Sequence, residues 1–559
     1  MAESTAGGVA PGRRGRAFAG RAWLWAAVVP ITLALAGHAN LLRNDFAGDA
    51  VPWVAANPLL HDVTRPLQIV MSPYRVDVAP GHSPYRPVTS LSHALSWSAG
   101  GGDALAYHAF DILLHALATA LVCALLGTLG AGPLAAGAGA ALFAVHPLHV
   151  EAIASIVGRA DMLVAGFALL AVLAHLRLGG AARMAAVWVC AALALGAKES
   201  GVVVPALILA VSLVRATDLR AFRRATLADG PLWAGLAILF VLYFALRHAV
   251  LGTFTGSDVA PYIGALPPHL RITTAIANWT TYARLLFVPF ALSADYGPAV
   301  TLPAGLLSLR FWGGLAMLAG SLGLAAAARR RAPLAALGVF WFTIAVIPVT
   351  NLLVPGPVWV AERTLYLPSV AVALLAAALA PVLARARVRE RRLAGAALLL
   401  VLVLFAARSW QRNRTWENSF TLARTLIEDR PESFRSAWWL ARMVAAEGRF
   451  DRAAALFARA DSLLPGNPGV IGDYAGTLLA NGQPVHAERL LRGLPQGVSA
   501  DAGIYLVRAL VMQRRTDEAA ALLDSLRRDF PRDWRLPQLA AQLDSLRAPG
   551  PRPVRALPR

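Results

Sequence analysis

The sequence predicts an all-α polytopic membrane protein of about eleven transmembrane helices that ends in a helical-repeat solenoid. Three observations carry this reading. Of the 559 residues, 57% are hydrophobic and 15% charged, with a mean hydropathy of +0.55, against about 45–50% and about 25% in an ordinary soluble domain. Runs such as Trp23 to Leu42 and Leu393 to Ala407 contain no acidic residue and approach the ~20 residues that cross a bilayer. After residue 434 the apolar runs give way to alanine-rich helical patterns with a repeating period.

Charge sets the expected topology. The net charge of +20 does not mark a nucleic-acid binder, because the arginines cluster in short segments between apolar runs, which is how orientation in a membrane is encoded. Residues 1–22 form a basic tail with Arg13, Arg14, Arg16 and Arg21. No small-residue cleavage site follows the first span, so it reads as an uncleaved anchor with a cytoplasmic N-terminus. The loop 43–105 is then outside, and its length and Pro/Gly punctuation predict ordered, largely non-helical structure with short helices.

Ten further spans are expected: Tyr107 to Leu129, Leu134 to Val150, Met162 to Leu176, Met184 to Leu195, Gly201 to Val214, Leu232 to Val250, Phe311 to Ala328, Leu334 to Leu352, Leu365 to Ala384 and Leu393 to Ala407. The clusters at Arg177/Arg183, Arg215 to Arg224, Arg329 to Arg331 and Arg385 to Arg392 all fall inside if Leu251 to Leu309 stays outside. That solution makes Ile272 to Leu292 an interfacial or re-entrant helix, a role its Asn278, Thr280, Thr281 and Arg284 suit. Cys123 and Cys190 both lie in apolar runs, leaving neither a disulfide scaffold nor a thiolate metal site.

Residues 408–433 read as a polar connector and 434–547 as tetratricopeptide repeats. Ala453, Phe457, Ala460 and Pro465 have the spacing of one repeat, Ala487 and Ala519 take the Ala453 role in the next two, and Leu491 and Leu523 take that of Phe457. The Pro/Arg-rich tail 548–559 reads as disordered.

The most polar clusters fall together on the outside face: Asn44-Asp45-Phe46 to Asp49, Tyr85-Arg86-Pro87, His146-Pro147-Leu148-His149-Val150-Glu151, Gly158-Arg159-Ala160-Asp161, Lys198-Glu199, Asp295-Tyr296 and Glu362-Arg363. Ionisable groups at membrane depth mark a site or a buried pair. The bland reading is a set of ion pairs holding helices together. Lys198 is the only lysine in the chain, which singles it out for a position needing a compact ammonium.

These runs, with Ala361-Glu362-Arg363 through Tyr366-Leu367-Pro368, closely resemble the transmembrane and tetratricopeptide-repeat-containing family. That family is similar to the type C glycosyltransferases, and its animal members act as protein O-mannosyltransferases. The resemblance implies transfer of a sugar, mannose by the family's example, from a polyprenyl-phosphate donor to protein Ser/Thr hydroxyls on the outer face. It departs at one place. The family's first outer loop resembles Phe-x-x-Asp-Asp; here Phe46 and Asp49 match, but the second aspartate position is Ala50, and Asp45 is the available stand-in.

Such a transfer needs a base for the acceptor hydroxyl, which a carboxylate can supply, and cationic donors for the lipid phosphate. Asp49 is the expected base, with Asp45 beside it. Arg86, His146, His149, Glu151, Arg159, Asp161, Lys198, Glu199, Glu362 and Arg363 are the expected donor-phosphate or sugar-binding set. His146 and His149 invite a metal reading, but Pro147 begins or distorts the helix between them, so no metal site is assigned. Whether a divalent cation takes part is left open, and no other cofactor is expected. The partners expected are membrane lipid, the lipid-linked sugar and acceptor proteins, the last selected by repeats that take no part in the chemical step. Arg/Ala-rich composition suggests a bacterial inner membrane with the repeats periplasmic. The reading from another class is a non-catalytic membrane scaffold whose repeats bind partner proteins, which Ala50 favours.

Overall fold

In the computed structural model, described for residues 13–75, 78, 83–254, 259–264, 266–297, 302–494, 500–531, 533 and 535–547, the regular elements are helices, with no strand among the described residues. Seven are long and apolar enough to cross a bilayer: Gly20–Arg43, Ala104–Thr128, Arg159–Arg177, Gly180–Ala197, Gly230–Leu251, Leu309–Ala328 and Val388–Trp416. Pro133–Ala144 and Pro147–Ala154 form a pair bent by 46°. The bend falls at His146-Pro147, where proline removes a backbone donor and restarts the helix from its first position. The other three predicted spans fall on shorter apolar helices, Val204–Arg215, Pro333–Val349 and Val370–Arg385. Two of these follow short polar 3-10 turns, Glu199–Val203 and Glu362–Leu365. Irregular backbone at such depth is tolerated where protein covers it.

The stretch expected to be interfacial or re-entrant is two helices, Pro268–Ala277 and Trp279–Phe287, of 10 and 9 residues. Each is too short to cross a bilayer. They pack against Leu309–Ala328.

Small side chains set the helix spacing. Where Pro133–Ala144 packs on Val370–Ala378, Ala136, Ala140, Ala373 and Ala377 are all buried, and a Cβ on Gly139 would lie 2.8 Å from Ala373 O. Alanines four apart lie on one helix face, so two backbones can approach closely without a solvent-driven hydrophobic force. Because successive spans reverse direction, the described residues of loop 43–103, Glu151, Asp161, Lys198, Asp295 and Arg363 share one end of the bundle. Arg177, Arg183, Arg215 and Arg329 share the other.

Two boundaries differ from expectation. The last span continues as helix to Asn413, and the expected connector is itself largely helical, with Ser419–Asp429. Polarity there does not mean exposure. Asn413 is fully buried and donates to Gly37 O at 3.1 Å and Asn40 Oδ1 at 2.6 Å, while Ser409 donates to Val145 O at 2.9 Å. At the N-terminus, helix already begins at Arg13; residues 1–12 and the tail 548–559 lie outside the described residues.

The repeat region is three helix pairs, Phe434–Ala446 with Phe450–Leu463, Pro468–Ala480 with Pro484–Arg492, and Ala500–Met512 with Thr516–Asp529, followed by Arg535–Arg547. Ala453, Ala487 and Ala519 are each fully buried at the helix crossings, and Phe457, Leu491 and Leu523 are buried beside them. The first pair is continuous with the bundle, because Tyr262 packs on its core and Trp439 packs against the core of the membrane helices.

Candidate functional site

Four elements bring the cations together at the loop end of the bundle. The Gly180–Ala197 helix stops at Lys198, whose backbone is extended (φ −161°, ψ 152°). Its ammonium reaches both oxygens of Asp161, at 2.7 and 2.8 Å. Asp161 sits in the first turn of Arg159–Arg177, where a carboxylate also meets the positive end of the helix dipole. Gly158 makes that turn: a Cβ there would lie 2.5 Å from Ala152 O.

Arg363 donates its backbone N–H to Glu151 Oε2 at 3.0 Å and its guanidinium to Oε1. Arg86 precedes Pro87 at the first position of the Pro87–Gly100 helix. It lies 3.3 Å from Glu199 Oε2, while Arg247 holds Oε1 at 3.1 Å. Tyr74 lies under Arg86, 5.5 Å from guanidinium to ring centre.

Each cation is pinned from behind by a carboxylate yet keeps an open face, the side chains of Arg363, Arg86 and Lys198 being 23%, 18% and 11% exposed. Burial, opposed by Asp161 but helped by Arg86 and Arg363, lowers Lys198 below an ordinary lysine. Burial would raise Glu199, but Arg86 and Arg247 outweigh it and hold that carboxyl at about 2. Three mutually repelling cations, two with a carboxylate each and Arg86 sharing Glu199 with Arg247, form an arrangement that an anionic ligand relieves.

Asp49 stands at the edge of this cluster. It is half-buried on the turn before Val51–Ala55, and its carboxylate makes no hydrogen bond or ion pair among the described residues. It lies in the electrostatic field of Arg363, Arg435 and Tyr74. Glu151, Asp161, Glu199 and Asp295 are all paired.

Other predicted residues are not part of this cluster. His146 is fully buried, accepts the Leu148 N–H at Nδ1 and bonds Leu286 O through Nε2 at 2.9 Å. His149 is fully buried and bonds Ser369 Oγ at 2.7 Å. Among the described residues no three ligating side chains come together as a metal site. Arg159 is fully buried on Asp111, Ser92 O, Ser96 and Tyr107 O. Glu362 is fully buried and accepts from Arg412 at 2.9 Å, Tyr296 at 2.7 Å and Ser293 N at 2.7 Å. These four tie helices together. Their contacts fit the bland reading of ion pairs and structural hydrogen bonds.

Asp45 is exposed and turned onto its own loop, its Oδ1 accepting from Phe46 N. Ala50 is fully buried in an apolar cluster with Val54, Leu60, Tyr107 and Ile156.

Sequence reasoning missed Asp111, Arg412 and Arg435. Asp111 is an acid inside an otherwise apolar span, a signal that was there to read. Arg412 was masked by its polar neighbours. Arg435 carries no motif: it is one arginine on an amphipathic repeat helix, and only the fold brings it to Asp295, at 3.0 Å.

Fold and site together define a multi-span membrane protein whose loop-end polar cluster is joined to tetratricopeptide repeats. Comparison with known proteins agrees. The tetratricopeptide repeat family matches residues 444–497. The protein O-mannosyl-transferase TMTC4 of Homo sapiens is 26% identical over 484 residues, covering 76% of this chain and 64% of its own length. Tmtc1 and Tmtc2 of Drosophila melanogaster, also named protein O-mannosyl-transferases, are 38% and 45% identical over 139 and 97 residues. Those matches take in 25% and 17% of this chain but only 13% and 10% of the fly proteins. Over most of its length the chain is similar to the TMTC protein O-mannosyl-transferases, while it spans less than two thirds of these relatives' own length.

Proposed function

We propose that this chain is a membrane glycosyltransferase that moves a sugar, mannose by analogy with its relatives' names, from a polyprenyl phosphate to a Ser or Thr hydroxyl of a protein. The observation that carries the reading is Asp49, an uncommitted carboxylate beside cations that are each already held by another carboxylate. The donor phosphate lies against Arg86, Lys198 and Arg363. The acceptor hydroxyl gives its proton to Asp49, its oxygen bonds to the anomeric carbon, and the sugar–phosphate C–O bond breaks to release polyprenyl phosphate. The cations stabilise the charge gathering on the leaving group. Acceptor proteins are selected through the repeats, whose later pairs form a groove of about 400 Å³ lined in part by Tyr505, Arg508 and Met512. The basic clusters at the opposite end of the bundle support a cytoplasmic placement for that end, and so a periplasmic placement of site and repeats in a bacterial inner membrane.

The scaffold alternative drew on Ala50 as half of a lost carboxylate pair. Its burial in an apolar cluster weighs against that support. The test is Asp49→Asn with a short-chain polyprenyl-phosphate mannose and an acceptor protein: removal of a general base lowers the rate by about 10²–10⁴ in a protein that is still folded. Wild-type turnover in that variant would refute the assignment.

A further inference from the structure

The loop that carries Asp49 is held from the repeat side. Gly48 takes a left-handed backbone (φ +58°), and a Cβ there would meet the Trp439 ring at 3.0 Å and Leu422 at 3.2 Å. Its N–H donates to Ser419 Oγ at 3.1 Å. Asp45 N donates to Glu417 O at 2.8 Å and Asn44 Nδ2 to Asn413 O at 3.0 Å. Asn413 is the last residue of the final helix of the bundle, the other partners follow it in sequence, and Trp439 belongs to the first repeat helix, Phe434–Ala446.

The same helix grips the bundle a second time. Ser433 caps its N-terminus by accepting from Arg435 N at 3.2 Å, and the same hydroxyl donates to Asp295 Oδ2. The Arg435 guanidinium donates to Asp295 Oδ1 at 3.0 Å. Asp295 is 1% exposed and Arg435 25% exposed, so the pair closes a buried carboxylate while leaving part of the guanidinium open beside Asp49 and Arg363.

We propose that the first repeat helix is a latch on the site: Arg435 and Ser433 clasped on Asp295, and Trp439 packed on Gly48, are positioning residues that hold the Asp49 loop in working geometry. The proposal deepens the glycosyltransferase reading and rests on Asp49 as its base. The repeats then are not a separable acceptor arm. Without the latch Asp295 is left buried and unpaired, and the Gly48-Asp49 turn loses its aromatic stop and keeps only its hydrogen bond to Ser419. A displacement of about 1 Å at a reacting group can cost on the order of 10² in rate. Donor affinity stays, because Arg86, Lys198 and Arg363 are anchored on Glu199, Asp161 and Glu151.

The test uses the full chain in lipid nanodiscs, with Arg435→Ala, Trp439→Ala and Arg435→Lys. Amide hydrogen exchange is followed over residues 44–56, where Asp45, Gly48, Ala50, Val51, Trp53 and Ala56 donate backbone hydrogen bonds. Exchange in the second and third repeat pairs serves as the folding control. Exchange over 44–56 is expected to quicken roughly ten- to a hundredfold in both alanine variants, with kcat lowered and the donor KM unchanged; Arg435→Lys, which keeps one charged contact, retains most of both. Unchanged exchange in the two alanine variants overturns the latch, and faster exchange with wild-type kcat overturns the positioning role. A wild-type chain inert toward polyprenyl-phosphate mannose, whose loop exchange still quickens in the variants, overturns the glycosyltransferase reading and leaves the latch standing.

Discussion

Arg363 grips Glu151 twice, backbone N–H on one carboxylate oxygen and guanidinium on the other, across 212 positions of sequence. The contact fastens the Glu-Arg run to the His-Pro run, and it fixes Arg363 by its main chain as well as its side chain. Glu151 is 1% exposed, so its removal leaves a guanidinium without its counter-ion in a partly covered place. Glu151→Gln, which keeps an acceptor but not the charge, is expected to lower stability by roughly 1–3 kcal/mol, and Glu151→Ala by more. Thermal unfolding in detergent measures this. Donor affinity should fall in parallel, since Arg363 loses its aim; unchanged melting and affinity in both variants would remove the clamp from the account of the site.

Lys198 gives a pH signature. Burial and the neighbouring Arg86 and Arg363 hold it below the ordinary 10.5, so its charge is lost on the alkaline side before that of a free lysine. If it holds the donor phosphate, donor affinity drops as pH rises through that window. By linkage this group's own contribution to stability increases there, because the unfolded chain binds the extra proton; the drop in affinity is therefore not unfolding. Lys198→Ala should weaken donor binding at neutral pH by roughly ten- to a hundredfold. Lys198→Arg should abolish the alkaline limb while binding less tightly than wild type, because a planar guanidinium does not replace a compact ammonium on Asp161. Calorimetric titration with the donor at several pH values checks both, and an alkaline limb that survives in Lys198→Arg assigns it to another group.

Position 50 is a test of family reasoning against local packing. Ala50 is fully buried in the pocket of Val54, Leu60, Tyr107 and Ile156. Ala50→Asp would place a carboxylate there without a partner, at a cost of about 1–3 kcal/mol for an unsatisfied polar group and more if it stays charged. The variant is expected to melt lower and to transfer no faster than wild type. A gain in turnover would show that the pocket opens and that a carboxylate pair is formed after all.

Much of the fold was legible because two strong periodicities write it. Every predicted span falls on a helix or helix pair, since a bilayer demands long apolar runs, and Ala453, Ala487 and Ala519 announced the repeat crossings because only a small side chain fits there. The site was legible in part. Asp49, Arg86, Glu151, Asp161, Lys198, Glu199 and Arg363 come together, but His146, His149, Arg159 and Glu362 belong to the same motifs and are spent inside the bundle. Short runs of polar residues cannot show which member turns inward, because neighbours on a helix point in different directions. Nor could Arg435 be found, since its role depends on a contact with Asp295 made 140 positions away.

Arg159 separates the two uses of charge in this protein. It is fully buried with Asp111, and its three nitrogens are satisfied by Asp111, Ser92 O, Ser96 and Tyr107 O. No face is left for a phosphate, which makes it a helix tie despite its place in the Gly-Arg-Ala-Asp run. Breaking a buried pair leaves one uncompensated charge and typically costs about 3–5 kcal/mol, whereas replacing both members by apolar groups of similar size is often neutral or stabilising. Arg159→Leu is therefore expected to be poorly folded, while Arg159→Leu combined with Asp111→Leu recovers folding and, with it, donor affinity. Size-exclusion profile, melting temperature and donor titration on the single and double variants decide the matter. A double variant that folds as well as wild type but no longer binds the donor would return Arg159 to the phosphate site and show that the pair opens when the donor arrives.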